Sequence, residues 1–401
     1  MKLATAAPES WTTTRLGWLF QPVSDRGHED SIVLSVYRDH GVIPKDSRTD
    51  NFNRTPENLS NYKLVRPGDL VVNRMKAWQG SLGIAEHEGI VSPDYEVLRP
   101  IGSKYDRRFL HALLRSRAVI DQYALRSTGI RPSQWRLYWD EMKTIEVSLP
   151  STAEQAVIAE YLDRETARID TVIEEQQQLV VILRERREAT VRSLLLAGLD
   201  SADVATSGVD ALGPIPSHWR MIPTRYLCRI TTGSEDSGNA TDDGEYPFYV
   251  RGREVLRIDH YSFDGEAVMT PGDGQGGTGK VFHYFDGKFE AHQRVYVFKD
   301  FAGVSGRYFY YFLSTFLRPV ALAGSNTVTM ESLRRPLLAD FKIAVPPLAE
   351  QARITAYIDE RLAEIDTLIA EAERFIELAR ERRSALITTV VTGQIDVRAV
   401  A

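Results

Sequence analysis

The feature that most constrains this chain is a long stretch that occurs twice. Residues 150–197 and 346–393 align without a gap at a shift of 350 − 154 = 196 residues, and 19 of the 48 aligned positions are identical. The spacing between the copies is nearly half of the 401-residue chain. It therefore indicates two copies of one large module and excludes a solenoid of short repeats.

Each copy predicts one long helix. A proline, Pro150 or Pro346, precedes the run, and the Glu-Gln pair that follows is typical of a helix start. Apolar residues then recur at alternating spacings of four and three, which is typical of a coiled-coil seam. The residues predicted to pair the helices are Ile158, Leu162, Ile169, Val172, Leu179, Leu183, Ile354, Ile358, Ile365, Leu368 and Phe375.

The linker predicts the relative direction of the helices. About 16 residues separate the first helix from Pro214, so the second module can begin where the first helix stops. This favours an antiparallel pair with the modules at opposite ends of a rod. The expected fold class is α+β: two globular α/β domains separated by two long helices that form an antiparallel coiled coil, with a pseudo-twofold internal repeat.

Composition narrows the class of protein. Hydrophobic content of 43% and a mean hydropathy of −0.27 favour a soluble globular chain, and no apolar run approaches the ~20 residues of a membrane span. The N-terminus lacks the apolar stretch of a signal peptide. The single cysteine, Cys228, excludes an internal disulfide and a cysteine-based zinc site. We therefore expect a cytoplasmic protein.

The net charge of −6 is unevenly distributed. Residues 1–150 carry 21 basic and 18 acidic side chains, a net charge of +3, whereas residues 151–200 carry 6 and 10, a net charge of −4. The acidic excess lies mostly on the helices. Any nucleic-acid contact is therefore expected on the globular modules.

Two polar clusters in the first module have the side chains that read DNA. Arginine can pair with guanine, glutamine with adenine, and serine or threonine can hold phosphate. The candidates are Arg74, Lys76, Trp78, Gln79, Arg126, Ser127, Thr128, Arg131 and Ser133. Their counterparts in the second module are Arg251, Arg253, Gln275, Lys280, Gln293, Asn326 and Thr327. For any single arginine, a solvated surface charge is the alternative.

The glycine-rich stretch 271–280 satisfies two phosphate-binding patterns. However, Val281 replaces the serine or threonine that would hold magnesium, and residues 281–289 predict a hairpin instead of a helix. We therefore expect a flexible loop. The sequence contains no HExxH, GxSxG or paired-cysteine motif, so neither a catalytic residue nor a metal site is predicted.

The pattern resembles the specificity (S) subunit of a type I restriction-modification enzyme. The residues that carry the resemblance are Leu149-Pro150 followed by Glu154-Gln155, their twins Pro346-Pro347 and Glu350-Gln351, and the Ile-Asp pairs at 169 and 365. Gly68-Asp69-Leu70-Val71 and the 127–131 segment also look like elements of family recognition domains. Asn326 to Thr329 lacks the counterpart of Arg131.

This resemblance implies a DNA-binding adaptor without catalytic activity. The expected parts are target recognition domain 1 (1–150), a long helix (151–198), a linker (199–213), target recognition domain 2 (214–346), a second long helix (347–393) and a tail (394–401). Each domain is expected to read half of a bipartite asymmetric site in double-stranded DNA, while the helices set the spacer. The expected partners are two methyltransferase subunits and restriction/translocase subunits. S-adenosylmethionine, ATP and magnesium are expected on those partners, and no cofactor is expected in this chain.

Two other classes remain open at this stage. One is a coiled-coil protein-interaction scaffold without DNA recognition. The other, which is weaker, is a solitary nuclease or NTPase. Binding of specific DNA against random DNA separates the first from the S-subunit hypothesis, and ATP turnover by the purified chain tests the second.

Overall fold

The computed structural model describes residues 7–48, 55–102, 105–131, 134–200, 203–273, 279–323 and 332–399. The chain forms two compact units. Unit 1 comprises residues 1–177 and 374–401, and unit 2 comprises residues 178–373. Both boundaries fall inside a long helix, so each unit contains one module and part of each helix. The domain boundaries given above stay a prediction.

Unit 1 contains ten strands and four short helices among its described residues. The strands are β1 (Thr12–Arg15), β2 (Phe20–Val23), β3 (Leu34–Tyr37), β4 (Gly41–Pro44), β5 (Lys63–Val65), β6 (Leu70–Asn73), β7 (Leu82–Ile84), β8 (Gly89–Val91), β9 (Tyr95–Pro100) and β10 (Glu146–Leu149). The helices are α1 (Leu16–Leu19), α2 (Arg107–Leu114), α3 (Arg117–Arg126) and α4 (Trp139–Met142).

The central sheet of unit 1 has the order β2-β9-β6-β7, and all its pairings are antiparallel. Side chains alternate between its two faces, as strand geometry requires. Leu70 and Val72 of β6 join the core that also contains Phe109 and Leu113, whereas Val71 joins the core that contains Leu34 and Val36. The sheet is therefore buried on both faces, which explains its continuous apolar run.

Unit 2 repeats this plan with longer strands. Its strands are β11 (Val204–Thr206), β12 (Pro214–Pro216), β13 (Arg220–Pro223), β14 (Arg229–Thr232), β15 (Tyr246–Tyr249), β16 (Val255–Ile258), β17 (Phe263–Pro271), β18 (His283–Ala291), β19 (Val295–Lys299) and β20 (Lys342–Val345). Its sheet has the order β14-β19-β17-β18-β15-β16, in which only the β15–β18 pairing is parallel.

The two long helices are α5 (Thr152–Ala197) and α8 (Leu348–Val391). In the sequence, α6 (Gly306–Ala323) and α7 (Arg335–Asp340) come between them. Gly198 and Gly393 follow the long helices with φ of +70° and +75°. Glycine adopts this left-handed conformation at little cost, so it ends a helix cleanly.

The repeated Glu-Gln pair attaches each helix to its module. In unit 1, the Gln155 amide donates to Pro150 O at 2.9 Å, and its Oε1 accepts from the backbone N–H of Asp106 at 2.9 Å. In unit 2, Gln351 does the same with Pro346 O and the backbone N–H of Ser305. Both glutamines are buried, so these bonds satisfy backbone groups that water cannot reach.

Tryptophan contacts add to this attachment. Trp11 Nε1 donates to Glu154 Oε1 at 3.3 Å in unit 1, and Trp219 Nε1 donates to Glu350 Oε1 at 3.1 Å in unit 2. The two glutamates are 196 residues apart, as the repeat requires. The duplicated motif is therefore a structural joint between a module and a long helix.

The helix segments run antiparallel within each unit. In unit 1, Ile158 and Leu162 near the start of α5 share a core with Val390 and Val391 at the end of α8. In unit 2, Val191 and Leu195 near the end of α5 share a core with Ile354, Ile358 and Leu362 near the start of α8. The expected antiparallel direction is therefore observed inside each unit.

The predicted seam needs a correction at four positions. Val172, Leu179, Leu368 and Phe375 are 36–49% exposed. The buried residues nearby are Ile173, Val180, Ala372 and Ile376. The prediction continued the alternation of four and three from Leu162. The burial pattern instead takes two successive steps of four, from Ile158 through Leu162 to Thr166. As a result, every second position of the later stripe moves by one residue, as from Val172 to Ile173, while Ile169 and Leu183 keep their places.

The other predicted pairing residues lie on the inner side of the helices. Ile158, Leu162, Leu183, Ile354, Ile358 and Ile365 are buried, and Ile169 is half-buried. In addition, α2 and α3 are separated only by Arg115 and Ser116. Among the described residues, no helix combines the length and apolar character needed to cross a membrane.

Candidate nucleic-acid interfaces

The first candidate surface begins where β6 ends. Asn73 Oδ1 accepts from the backbone N–H of Met75 at 3.1 Å, and a 3-10 helix, Ala77–Gln79, follows. Gly80 then reverses the chain into β7 with φ +90°. This tight turn places Lys76, Trp78 and Gln79 beside one another.

A second loop, after α3, packs against this turn. Thr128 and Arg136 exchange two backbone hydrogen bonds of 3.1 and 2.9 Å, which close the loop between them. The backbone N–H of Leu137 donates to Arg74 O at 2.9 Å, and the rings of Trp78 and Trp135 meet edge to face at 5.6 Å. We call residues 74–79 and 127–137 the module-1 surface; Pro132 and Ser133 lie outside the described residues.

Several predicted contact residues on this surface already have partners in the chain. Arg74 Nε donates to Asp94 O at 2.9 Å, and Arg126 donates to the Gln122 amide oxygen at 2.7 Å. The Ser127 hydroxyl donates to Tyr123 O at 2.8 Å. These three side chains stabilise the loops.

The exposed side chains of the surface are chemically mixed. Lys76, Thr128 and Arg131 are exposed, and Gln79 is half-buried. Ile130 is 95% exposed at the tip of the loop. Sequence reasoning missed Ile130 and Trp135, although both flank residues that it had selected. The surface therefore offers cations, a hydroxyl, an amide and an apolar tip on one rigid base.

The second module builds a corresponding surface with different side chains. The backbone N–H of Leu333 donates to Gly272 O at 2.7 Å, just after β17 ends. Leu333 lies 333 − 137 = 196 residues after Leu137, and both leucines are buried. The loop before α7 is therefore attached to the end of a central strand in the same way as in the first module.

Beside this attachment lies a cavity of about 460 Å³. Its charged and polar lining includes Thr232, Asp273, Gln293, Arg294, Arg334 and Arg335. We call this lining, together with Arg251, Arg253 and Lys280, the module-2 surface. Gln275, Asn326 and Thr327, which the sequence also predicted, lie outside the described residues.

Asp273 organises the cations of the module-2 surface. Arg294 donates to Asp273 Oδ2 at 3.0 Å, and an Arg251 guanidinium nitrogen lies 3.7 Å from Oδ1. Gln293 donates to Asp236 at 3.4 Å, whereas Arg253 and Lys280 are exposed. His292 is buried, and burial lowers its pKa. Its Nδ1 accepts from the backbone N–H of Arg294 at 3.0 Å.

Sequence reasoning missed Arg294, Arg334 and Arg335. The Arg-Arg doublet directly follows Leu333, so the repeated leucine could have indicated it. The glycine-rich stretch connects the antiparallel strands β17 and β18, where Met269 pairs with His283. Residues 274–278, where a flexible loop is expected, lie outside the described residues. The described residues that follow lead into a strand, whereas a phosphate loop leads into a helix N-terminus.

Among the residues that the structure describes, no cluster of three His, Cys, Asp or Glu side chains has an arrangement that could hold a metal ion. Cys228 is buried, and burial raises the pKa of its thiol to about 12, which leaves it unreactive at neutral pH. The two surfaces present groups that bind and orient a ligand.

Comparison with known proteins first defines the class of the second module. Residues 216–374 match the family model described as the type I restriction modification DNA specificity domain. Most of unit 2, including β13 to β20, lies within the match. The second module is therefore a DNA specificity domain.

The chain is also similar to specificity subunits and to solved structures. The EcoDI specificity subunit of Escherichia coli is 27% identical over 183 residues; the match spans 46% of this chain and only 40% of that subunit. A chain from a structure of type I R-M complex assembly has a TM-score of 0.74 at 16% identity, with 98% of this chain and 100% of that chain covered. The HsdS subunit from Thermoanaerobacter tengcongensis has a TM-score of 0.55 at 16% identity over 98% and 99% of the two chains.

Residues 216–374 match the family of type I restriction-modification DNA specificity domains, and the chain is similar to type I specificity subunits. The solved structures share its α+β fold, so the expected fold class and the resemblance are both confirmed. Specificity subunits are the non-catalytic components of their enzymes. At the level of the family, this agrees with the prediction that the chain is not an enzyme.

Proposed function

We propose that each module reads one half of a bipartite, asymmetric DNA sequence. The observation that carries the proposal is the shared placement of two dissimilar surfaces. Leu137 and Leu333 attach a loop to the end of a central strand in both modules, but the neighbouring side chains differ. A common frame with different contact residues suits the recognition of two different half-sites.

The module-1 surface has suitable groups for its half-site. Lys76 and Arg131 offer charge to phosphate or guanine, Gln79 offers an amide to adenine, and Ile130 offers an apolar contact to the thymine methyl group. The edge-to-face contact of Trp78 and Trp135 fixes the base of this surface, which limits the entropy lost on binding.

The module-2 surface is more cationic. Arg294, Arg334 and Arg335 line its cavity with Asp273, whose carboxylate can accept from the amino group of cytosine. Arg253 and Lys280 add exposed charge for the phosphates. We therefore assign the second half-site to this surface.

We further propose that α5 and α8 set the spacer between the half-sites and recruit two methyltransferase subunits. In support, unit 1 exposes Val172, Phe375 and Leu378 on its helices. Unit 2 exposes the residues 196 positions away in the repeat, namely Leu368, Leu179 and Ile182. Two equivalent apolar patches fit two copies of one partner.

The partners supply the chemistry under this proposal. The methyltransferase subunits bind S-adenosylmethionine and methylate an adenine that is rotated out of the duplex. Restriction subunits add ATP- and magnesium-dependent cleavage. The complex acts on DNA in the cytoplasm. This chain selects the sequence and holds the partners.

A gel shift tests the proposal against the scaffold alternative. The chain, co-expressed with its methyltransferase subunits, is titrated with a duplex that carries the genomic methylated motif and with a random duplex at one fixed salt concentration. We expect at least about a thousandfold preference for the motif. Equal affinity for both duplexes would favour a scaffold without DNA recognition.

A further inference from the structure

A polar cavity in unit 1 lies outside the two surfaces assigned to DNA reading. It has a volume of about 530 Å³ and lies where the junction of α2 and α3 faces the last turns of α8. Its lining includes Arg115, Ser116 and Arg117 from the junction, and Arg383 and Thr388 from α8. A cavity of this size is suited to a small molecule.

The lining carries an excess of positive charge. Its five arginines outnumber its three acidic residues, Asp39, Glu86 and Asp163. Three of the arginines have carboxylate partners, since Arg108 pairs with Asp163 at 2.8 Å, Arg117 with Asp121 at 2.9 Å and Arg383 with Asp170 at 2.8 Å. Arg115 is largely enclosed, and its two hydrogen bonds go to backbone carbonyls, Leu82 O at 3.1 Å and Arg38 O at 2.7 Å. Burial lowers the pKa of this guanidinium, which is the mark of a cation that lacks full compensation.

Two buried polar atoms in the lining lack a hydrogen-bond partner. Ser116 is 2% exposed, and its Oγ makes no hydrogen bond. Arg383 Nε is also buried without one; it forms an ion pair with Asp170 at 2.8 Å in an orientation outside hydrogen-bond geometry. This ion pair compensates Arg383 Nε, so the unpaired donor is the Ser116 hydroxyl. An unpaired buried donor is costly, which points to a ligand that accepts from Ser116 Oγ.

The N-terminus of α3 lies at the same place. Ser116 is the N-cap residue of this ten-residue helix, but its side chain does not cap the helix. The backbone N–H of Arg117 donates to Thr388 Oγ1 at 3.3 Å, and those of Val119 and Ile120 donate to Ser116 O, so the helix contributes the positive end of its dipole. A helix N-terminus with an unused hydroxyl and several arginines is the arrangement that binds phosphate oxygens.

The corresponding place in unit 2 is built differently. There α6 continues as one helix, and Phe312 and Phe316 fill the space as fully buried side chains. Arg192, the repeat counterpart of Thr388, lies over the Phe316 ring at 5.1 Å. The cavity of unit 1 is therefore a departure from the duplicated frame.

We propose that this cavity binds the phosphate group of a small phosphorylated ligand, one per chain, with Ser116 and Arg383 as donors beside the N-terminus of α3. The volume also accommodates a nucleoside attached to that phosphate. Free phosphate and a nucleotide share this chemistry, and they are separated by experiment. The site is independent of the two DNA-reading surfaces.

The test measures binding of inorganic phosphate, ATP and adenosine to the full-length chain by titration calorimetry at constant ionic strength. We expect phosphate or ATP to bind with a stoichiometry of one and adenosine alone not to bind. Binding of both phosphate and ATP supports a nucleotide site, and binding of phosphate alone supports a free-anion site. The proposal fails if neither binds.

Variants locate the site. Ser116→Ala and Arg383→Gln are each expected to weaken phosphate binding about tenfold, because each removes a donor to a charged group. Arg187→Gln is the matched control, since it breaks the equivalent ion pair with Asp366 in unit 2 and should leave phosphate binding unchanged. Equal effects of Arg383→Gln and Arg187→Gln would overturn the assignment. Displacement of phosphate by the cognate duplex would also overturn it, because the cavity would then belong to the DNA path.

Discussion

Arg383 Nε lies 2.8 Å from Asp170 Oδ1, an ion pair that links the two long helices inside unit 1. In unit 2, Arg187 and Asp366 form the same pair at 2.9 Å. Both partners of the second pair are displaced by 196 residues from those of the first, because 170 + 196 = 366 and 383 − 196 = 187. The repeat therefore relates contacts as well as sequences.

Loss of cations from one surface should affect one half-site. Replacing both Lys76 and Arg131 by alanine is expected to weaken binding of the cognate duplex about tenfold to a thousandfold, since a base contact is worth about 1–3 kcal/mol. Duplexes with one half-site scrambled identify the half that is affected. Arg334→Ala is the counterpart in the second module and should affect the other half. An equal loss of affinity for random DNA would show that these residues contact only the phosphates.

The corrected seam predicts that Ile173 of α5 contributes more to stability than its neighbour Val172. Ile173→Ala is expected to lower the free energy of unfolding by about 2 kcal/mol, because it removes a buried side chain. Val172→Ala should change it by less than about 0.5 kcal/mol, because Val172 is exposed. Urea unfolding of both variants measures the difference. A larger loss of stability for Val172→Ala than for Ile173→Ala would support the seam predicted from the sequence and contradict the corrected one.

The exposed apolar patches predict a defect in assembly without a defect in folding. Phe375→Glu combined with Leu179→Glu should weaken association with the methyltransferase subunits by at least about tenfold, because a charge then enters an apolar contact. The melting temperature of the isolated chain should stay the same. Arg380→Glu, an exposed change on the same helix, is the control. Normal assembly of the double variant would show that the patches do not contact the methyltransferase subunits.

His111 predicts a stability loss in mild acid. Burial, and then the charge of Arg115, lower its pKa to about 4 from the usual 6.5. The unfolded chain therefore takes up a proton below about pH 6.5, while the folded chain stays neutral until about pH 4. Stability is fully present above pH 6.5 and falls by about 2 kcal/mol by pH 5. Urea unfolding at pH 7.5 and pH 5 should give a smaller pH difference for His111→Gln, and an unchanged difference would contradict this assignment.

The spacer role predicts an effect of helix length. Seven residues inserted after Gln177 and again after Glu373 preserve the seven-residue period and add about 10 Å to each helix. We expect the spacer to grow by about 3 base pairs, at ~3.4 Å per base pair, while both half-sites stay the same. Mapping of methylated adenines gives the result directly. Altered half-sites with an unchanged spacer would contradict the role of the helices.

The helices were the most predictable part of the fold, because their period extends over many turns. The phase of the seam was not predictable from Ile169 onward, since Val172 and Ile173 are both apolar and only packing decides between them. The break between α2 and α3 was also hidden, because apolar residues continue on both sides of Ser116. In the structure, the break is marked by Ser116, which is the N-cap residue of α3.

The polar side chains identified the loops of the two surfaces in the sequence. They did not show which side chains are exposed and which are held by the chain itself. Arg74 and Arg131 look alike in sequence, yet Arg74 holds Asp94 O and Arg131 is exposed. The contact between Leu137 and Arg74 joins residues 63 positions apart, which no local pattern reveals. The long-range pairing therefore had to come from the structure.

The most direct test of divided recognition is an exchange of the second module. Residues 214–346 are replaced by the matching segment of the EcoDI specificity subunit, and methylated adenines are mapped on genomic DNA with the same methyltransferase subunits. The account predicts that one half-site and the spacer persist while the other half-site changes. A target in which both half-sites change, or neither does, would contradict it.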